Sequence, residues 1–294
     1  MRAWVACTAD LSRLSQMRER VRFAHVLRLG LLLFALSVSL FFAASQHAHA
    51  GAWTLREGTG QAILQTSIVH SDQEFGPDSR LYSSRPFDKT EITLLFEYGV
   101  RDWLTLIAAP QLIHVKLGSP DASSYTGLGY VEGGARARLW QDENRVVSAQ
   151  GILRLSGTGN SSSAAAIGYE NTEIDLRFLG GWSFSLWGRK SFLDVQLAQR
   201  FRFGDPPDEV RLDVTLGIHT APRWQMLFQS FNVVSEGAGK GPWYDASYEY
   251  YKLQFALAWE WRPNLTLQAA MVGTAYARNA PQENGLVLSA AYQF

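Results

Sequence analysis

Cysteine is almost missing from this 294-residue chain, which has only Cys7. One thiol excludes a disulfide framework and a cysteine-rich metal site. No Lys/Arg block occurs, and 27 basic residues balance 27 acidic ones, so nothing marks a nucleic-acid partner. Charge is sparse at 18%, below the roughly 25% of soluble domains, which argues against disorder or a coiled coil. H-E-x-x-H, G-x-S-x-G and Walker-type sequences are absent. Beyond residue 50, no apolar run is long enough for a spanning helix of about 20 residues.

The first fifty residues differ from the rest. Leu29 to Ala44 reads LGLLLFALSVSLFFAA without a charge, preceded by Arg18, Arg20, Arg22 and Arg28 and followed by Ala48-His49-Ala50. A basic head, an apolar middle and a small-x-small tail are the three parts of a secretory signal peptide. The reading is a signal over residues 1–50, cleaved after Ala50, with 51–294 as the mature protein. An uncleaved anchor is the competitor, but the run is shorter than a spanning helix wants. Met17, just before the arginines, is an alternative start. The leader holds six of the basic and two of the acidic residues, so the remainder is net −4 and has no cysteine. That suits an oxidising compartment. An exported chain without spanning helices enters a membrane only as a barrel.

Period-two alternation dominates the rest. Thr90, Ile92, Leu94, Phe96, Tyr98 and Val100 share one strand face, with Lys89, Glu91, Thr93, Glu97 and Gly99 opposite. Ile174, Leu176, Phe178 and Gly180 alternate with Glu173, Asp175, Arg177 and Leu179; Val210, Leu212, Val214 and Leu216 alternate with Glu209, Arg211, Asp213 and Thr215. Similar runs occur at 131–139, 193–198 and 251–259, with weaker ones near 60–70, 103–116, 145–156, 223–234, 265–276 and 285–294. One face meets an apolar medium and the other a polar one. The count is twelve strands, even as a closed bacterial barrel requires.

The connections alternate in length. Ser71–Asp88, Gly118–Thr126, Gly157–Gly168, Ser235–Ala246 and Ala277–Asn284 are long, whereas Arg101-Asp102, Gln141–Asn144, Thr220–Pro222 and Arg262–Asn264 are short. Long outer loops and short periplasmic turns are the barrel rule. Gly204–Asp208 is short for an outer loop, and Ser185–Lys190 long for an inner turn. A soluble β-sandwich also alternates, but its polar face would be Lys, Glu and Thr, whereas here it is Gly and Ala with isolated charges. Trp103, Trp140, Trp182, Trp259 and Trp261 sit near strand ends, as an interfacial girdle would. The chain stops on Leu286, Leu288, Ala290, Tyr292 and Phe294, an ending similar to the signal read by barrel-insertion machinery. The fold class is therefore an all-β, antiparallel up-and-down transmembrane barrel. It is expected in the outer membrane of a Gram-negative bacterium, with outer-membrane lipid and, through Phe294, the assembly machinery as partners.

Glu91–Leu106 (EITLLFEYGVRDWLTL), Gly127–Leu139 (GLGYVEGGARARL), Phe192–Phe203, Asp208–Gly217, Gly51-Ala52-Trp53 and Gly58-Thr59-Gly60-Gln61 resemble a family of Gram-negative outer-membrane proteins. These are regarded as transporters linked to the meta-cleavage pathway of phenol degradation. The motifs are architectural and name no substrate. The resemblance implies passive passage of a small organic solute, aromatic or hydrophobic, through the barrel. Tyr125, Tyr169, Trp243, Tyr244 and Tyr248, near the outer openings, would receive a flat solute.

The inward faces carry the informative charges. The candidate constriction is Glu132, Arg136, Arg138, Glu173, Asp175, Arg177, Asp194, Arg200, Arg211 and Asp213, with Arg202 and Glu209 facing each other across the Gly204–Asp208 loop. Arginine facing lipid at the midplane costs roughly 2–4 kcal/mol, so these side chains turn inward. They fit either a selective polar constriction or a plug of ion pairs in a non-conducting barrel that acts as a surface or matrix-interaction protein. Twelve strands lie between the filled eight-stranded barrel and the open 16–18-stranded porin.

A barrel hydrolase is the third reading. It needs Ser and His together, and His70-Ser71 is the only local pair, on opposite strand faces. Neither catalytic residues nor a cofactor are assigned. Asp72, Glu74, Asp78 and Asp88 lack calcium-ligand spacing and read as a solvated loop, so no metal is assigned.

Overall fold

The computed structural model describes residues 51–120, 122–158, 163–241 and 244–294. Residues 1–50, expected as a signal peptide, and Trp243 lie outside the described residues. The described chain is almost wholly β: β1 (Gly60–Phe75), β2 (Leu81–Arg101), β3 (Leu104–Leu117), β4 (Ser123–Gln141), β5 (Arg145–Ser156), β6 (Glu173–Leu186), β7 (Arg189–Arg202), β8 (Glu209–Ala221), β9 (Trp224–Ser235), β10 (Glu249–Arg262), β11 (Leu265–Arg278), the two-residue β12 (Ala280–Pro281) and β13 (Asn284–Gln293). β12 and β13 together are the twelfth stave, so the number expected from the alternation is the number found.

Each stave pairs antiparallel with its neighbour in sequence, and β1 closes the ring. It pairs with β2 from Gln61↔Glu97 to His70↔Asp88, and with β13 from Gln61↔Gln293 to His70↔Asn284. Closure leaves no unpaired edge, the condition for β-structure in lipid. Pro110 has no N–H for the ladder. Around it the β2–β3 register passes from Thr93↔Gln111 to Phe96↔Ala108, and the β3–β4 register shifts between Pro110 and Leu112.

The alternation becomes an inside-out packing. Leu64, Ile68, Phe96, Leu112, Leu153, Leu176, Phe178, Leu197, Leu253, Met271 and Leu288 stand exposed on the outer wall, while Glu173, Asp175, Asp194 and Arg136 are buried within. In water such a surface would aggregate; against lipid tails it is matched to its surroundings. The interior has no continuous oily core, only small clusters such as Phe192, Leu227, Ala256, Ala270 and Val287.

One end carries the short turns and an aromatic belt of exposed Trp103, Trp140, Trp187, Trp224, Trp259 and Trp261, with Trp224 stacked on Trp259 at 5.8 Å between centroids. By the barrel rule this is the periplasmic end.

Three connections differ from the sequence reading, one of them Ala277–Asn284, where β11 runs to Arg278 and Ala280–Pro281 pair with β1. Ser185–Lys190 is not a long inner turn: β6 and β7 meet through Trp187 (φ 50°) and Gly188 (φ 74°) alone. Positive φ at both central residues is the tight two-residue hairpin whose twist matches its strands. Ser71–Asp88 is not one long loop either, because β1 and β2 stay paired as far as Phe75↔Leu81. Asp72, Glu74 and Asp88 therefore lie on strands, and only Asp78 of that group is in the turn. The strands here rise past the apolar band, where polar side chains on both faces meet water and hide the alternation.

Candidate functional site

Strand pairing decides which inward charges meet. Glu173 lies opposite Arg154 on one side and Arg202 on the other, Asp175 opposite Arg200, and Arg200 opposite Glu209. The Glu173 carboxylate takes Arg202 Nε at 2.8 Å, an ion pair from Arg154, Arg200 Nη1 at 3.6 Å, and the Tyr130 hydroxyl at 3.0 Å. Arg200 Nη2 and Arg177 Nε reach Asp175 at 3.0 and 3.2 Å, and Arg177 Nη1 spans to Asp213 at 2.6 Å. Glu209 binds Arg211 at 2.9 Å, Arg202 at 3.4 Å and the Tyr248 hydroxyl at 2.5 Å. Glu132 completes the group with Arg154 Nε at 2.7 Å. Buried charges are tolerable only when paired and hydrogen-bonded in this way.

The ladder occupies one wall, β4 to β8. The facing wall, β9 to β13, presents mainly amides and small or apolar residues, with one lysine, Lys252 of β10. Gln254 donates to Gln229 at 2.7 Å, Gln229 to Thr215 at 3.3 Å, and Ala256, Ala270 and Val287 lie beside them. The lumen is thus densely charged along β4 to β8 and more sparsely charged along β9 to β13, where Lys252 pairs with Glu283 at 2.5 Å and Glu283 lies 3.9 Å from Lys89 of β2.

At the periplasmic half the lumen is occupied by the chain itself. Residues 51–55 run inside the barrel, and the exposed residues 56–59 lead from them to β1. Ala52 N donates to Asp194 Oδ2 at 2.8 Å, and Ser148 Oγ donates to Ala52 O at 2.6 Å. Arg136 Nη1 donates to Trp53 O at 2.9 Å, and Leu55 N donates to Thr105 Oγ1 at 2.9 Å. Arg136 is anchored in turn by an ion pair with Glu97. Trp53 packs on Ala52, Val146 and Leu179. Glycines make this room: a Cβ at Gly181 would strike the Trp53 ring, and one at Gly99 the Arg56 carbonyl.

At the long-loop end the β5–β6 connection folds back over the mouth. Ala165, in a one-turn 3-10 helix (Ala164–Ala166), packs on Ile113 and Val115. Tyr169 donates to Glu91 across the opening and lies 5.7 Å from the Tyr130 ring. Gly168 O also lies 3.0 Å from Tyr130 Oη and shares its single proton with Glu173.

The ten sequence-selected side chains therefore divide. Glu132, Glu173, Asp175, Arg177, Arg200, Arg211 and Asp213 join the ladder. Arg136 and Asp194 hold the N-terminal segment. Arg138 stands apart, its Nη1 2.5 Å from Gln141 Oε1. Arg154 and Tyr130 were missed, although Arg154 sits between the outward Leu153 and Leu155 and that alternation marks it as inward. Of the aromatic candidates, Tyr169 and Tyr248 are engaged as above, Tyr125 donates to Leu128 O at 3.1 Å, and Tyr244 lies 5.9 Å from the Arg202 guanidinium. Each of these four has a partner in the wall or its loops. His70 Nδ1 faces Asp88 at 2.8 Å on the exposed surface, whereas Ser71 is buried and donates to Gln73 O at 2.9 Å. The two do not form a nucleophile–base pair.

Among solved structures, the chain is similar to the COG4313 outer membrane channel from Pseudomonas putida F1. The TM-score is 0.67 at 16% identity, covering 85% of this chain and 100% of that one. The fold is that of an outer-membrane barrel. The KdgM porin in complex with disordered oligogalacturonate also matches, with a TM-score of 0.46 at 9% identity over 80% of this barrel and 99% of the porin, and the NanC porin at 0.45 and 9% over 78% and 98%. No protein-family model and no curated protein sequence matches the chain.

Proposed function

We propose that the protein is a narrow, gated channel in the outer membrane of a Gram-negative bacterium, passing a small organic solute with an aromatic or apolar body. The observation that carries this reading is the occupant of the periplasmic half. It is a short segment before β1 and not a stave, and it is held by a few hydrogen bonds and one indole. Such a segment can leave while every ladder of the barrel stays intact. The ion-pair ladder of β4 to β8 opposite the amide and alanine surface around Gln229, Gln254, Ala256 and Ala270 supports the solute class, because such a pair of surfaces accommodates a molecule with one polar and one apolar side.

Planar-bilayer conductance tests this. The mature barrel is expected to conduct weakly and a barrel lacking residues 51–55 several-fold more. A second reading, a sealed barrel acting as a surface-interaction protein, draws on the ladder, in which every arginine has a carboxylate. Absence of flux in both barrels, at any voltage, would decide for it.

A further inference from the structure

Below the N-terminal segment, at the periplasmic mouth, lies a cavity of about 640 Å³ lined by Trp53, Leu55, Arg56, Asp102, Arg138 and Phe294, among others. Its charges set it apart from the rest of the lumen. Arg136, Arg154, Arg177, Arg200, Arg202 and Arg211 each hold a carboxylate. Arg56 and Arg138 do not: no carboxylate of a described residue comes within 4.0 Å of either. Arg138 meets only the amide oxygen of Gln141. The acidic side chain in the wall, Asp102, has Oδ1 engaged by Glu57 N at 2.9 Å. Two guanidiniums without an ion-pair partner thus share a concave space with an indole, a leucine, a phenyl ring and the more distant Asp102 carboxylate.

We infer that this vestibule is a binding site for an organic monocarboxylate with a small aromatic or short alkyl body. Guanidinium matches carboxylate in a two-bond fork, and the rings and Leu55 cover the apolar part. The volume lies within the usual range for small-ligand sites, roughly 300–1,000 Å³. An inorganic anion would leave the apolar wall unused, and a neutral aromatic would leave the cations unmatched. The bound molecule touches Trp53 and Leu55, so it rests against the segment that fills the lumen. The assignment names the solute class for the channel proposed above and depends on that channel only for passage.

The test is titration calorimetry of the mature barrel in lipid nanodiscs with benzoate and octanoate, beside acetate, benzyl alcohol and benzylammonium. Saturable binding of benzoate or octanoate is expected, with weaker binding of the other three. Arg138→Gln and Arg56→Gln should each lower affinity roughly tenfold, Arg138→Lys less, and Lys116→Gln on the exposed outer face of β3 not at all. Heat-modifiable gel migration checks that each variant is folded. No saturable binding, equal binding of benzyl alcohol, or affinity unmoved by both glutamine variants overturns the assignment. A barrel that conducts without binding benzoate or octanoate overturns this site alone, whereas one that binds them and never conducts overturns the channel and leaves the site standing.

Discussion

The indole of Trp53 fills the space a side chain at position 181 would need: a Cβ built on Gly181 collides with its ring. A residue outside every stave is thereby matched to a gap in β6. With Val146 and Leu179 beside it, the ring anchors the segment that occupies the lumen.

Gly181→Leu should evict that ring without disturbing the outer wall, because position 181 faces inward. The expected result is a several-fold rise in single-channel conductance with unchanged heat-modifiable migration. Unchanged conductance would mean that the segment does not control the opening.

Glu173 is the junction of the ladder, serving Arg154, Arg200, Arg202 and Tyr130. Glu173→Gln leaves guanidiniums uncompensated at a site only 2% exposed. Breaking a buried pair from one side costs about 3–5 kcal/mol, less where water enters. A lower urea midpoint for unfolding is expected. In any conducting state the reversal potential should move toward anion preference, as one negative charge has left the lumen.

Tyr130 ties two regions through one hydroxyl, to Glu173 and to Gly168 O in the β5–β6 loop. Tyr130→Phe should cost about 1 kcal/mol and loosen that loop. Faster hydrogen exchange at residues 163–172, with the β4 ladder unchanged, is the readout.

Asp142 orders the β4–β5 turn outside the membrane. Its Oδ1 accepts from Asn144 N at 2.9 Å and Arg145 N at 2.7 Å, and Oδ2 faces the Arg145 guanidinium at 2.7 Å. The Asn144 N–H bond, with the Arg145 contacts, holds the carboxyl below its ordinary pKa. A depressed folded-state pKa gives stabilisation that is whole above the ordinary carboxylate range and lost as pH falls through the lower value. Amide exchange at Asn144 and Arg145 should stay constant down to that range and quicken below it. Asp142→Asn should flatten the response.

Staves and facing were legible in the sequence wherever alternation was strong. Leu176 and Phe178 point out, and Glu173 and Asp175 point in, because side chains on a strand alternate regardless of what lies beyond it. Legibility failed where that local rule has no grip. The Ser71–Asp88 stretch is polar on both faces, so its strands read as loop. Trp187-Gly188 turns in two residues through positive φ, which the flanking polar residues obscured. The Gly and Ala of the inner faces were visible, but their use as a seat was not, since nothing local pairs Gly181 with Trp53.

The sequence by itself determined the twelve staves, their oily and polar faces and the inward side of each charge, because these follow from neighbours one and two residues away. Only the tertiary structure decided that Arg154, Arg200 and Arg202 converge on Glu173, that residues 51–55 occupy the lumen, and that Arg56 and Arg138 share a cavity without an ion-pair partner. Those relationships join residues far apart in the chain, and they are set by register and closure, which bring opposite walls and the N-terminal segment within reach of one another.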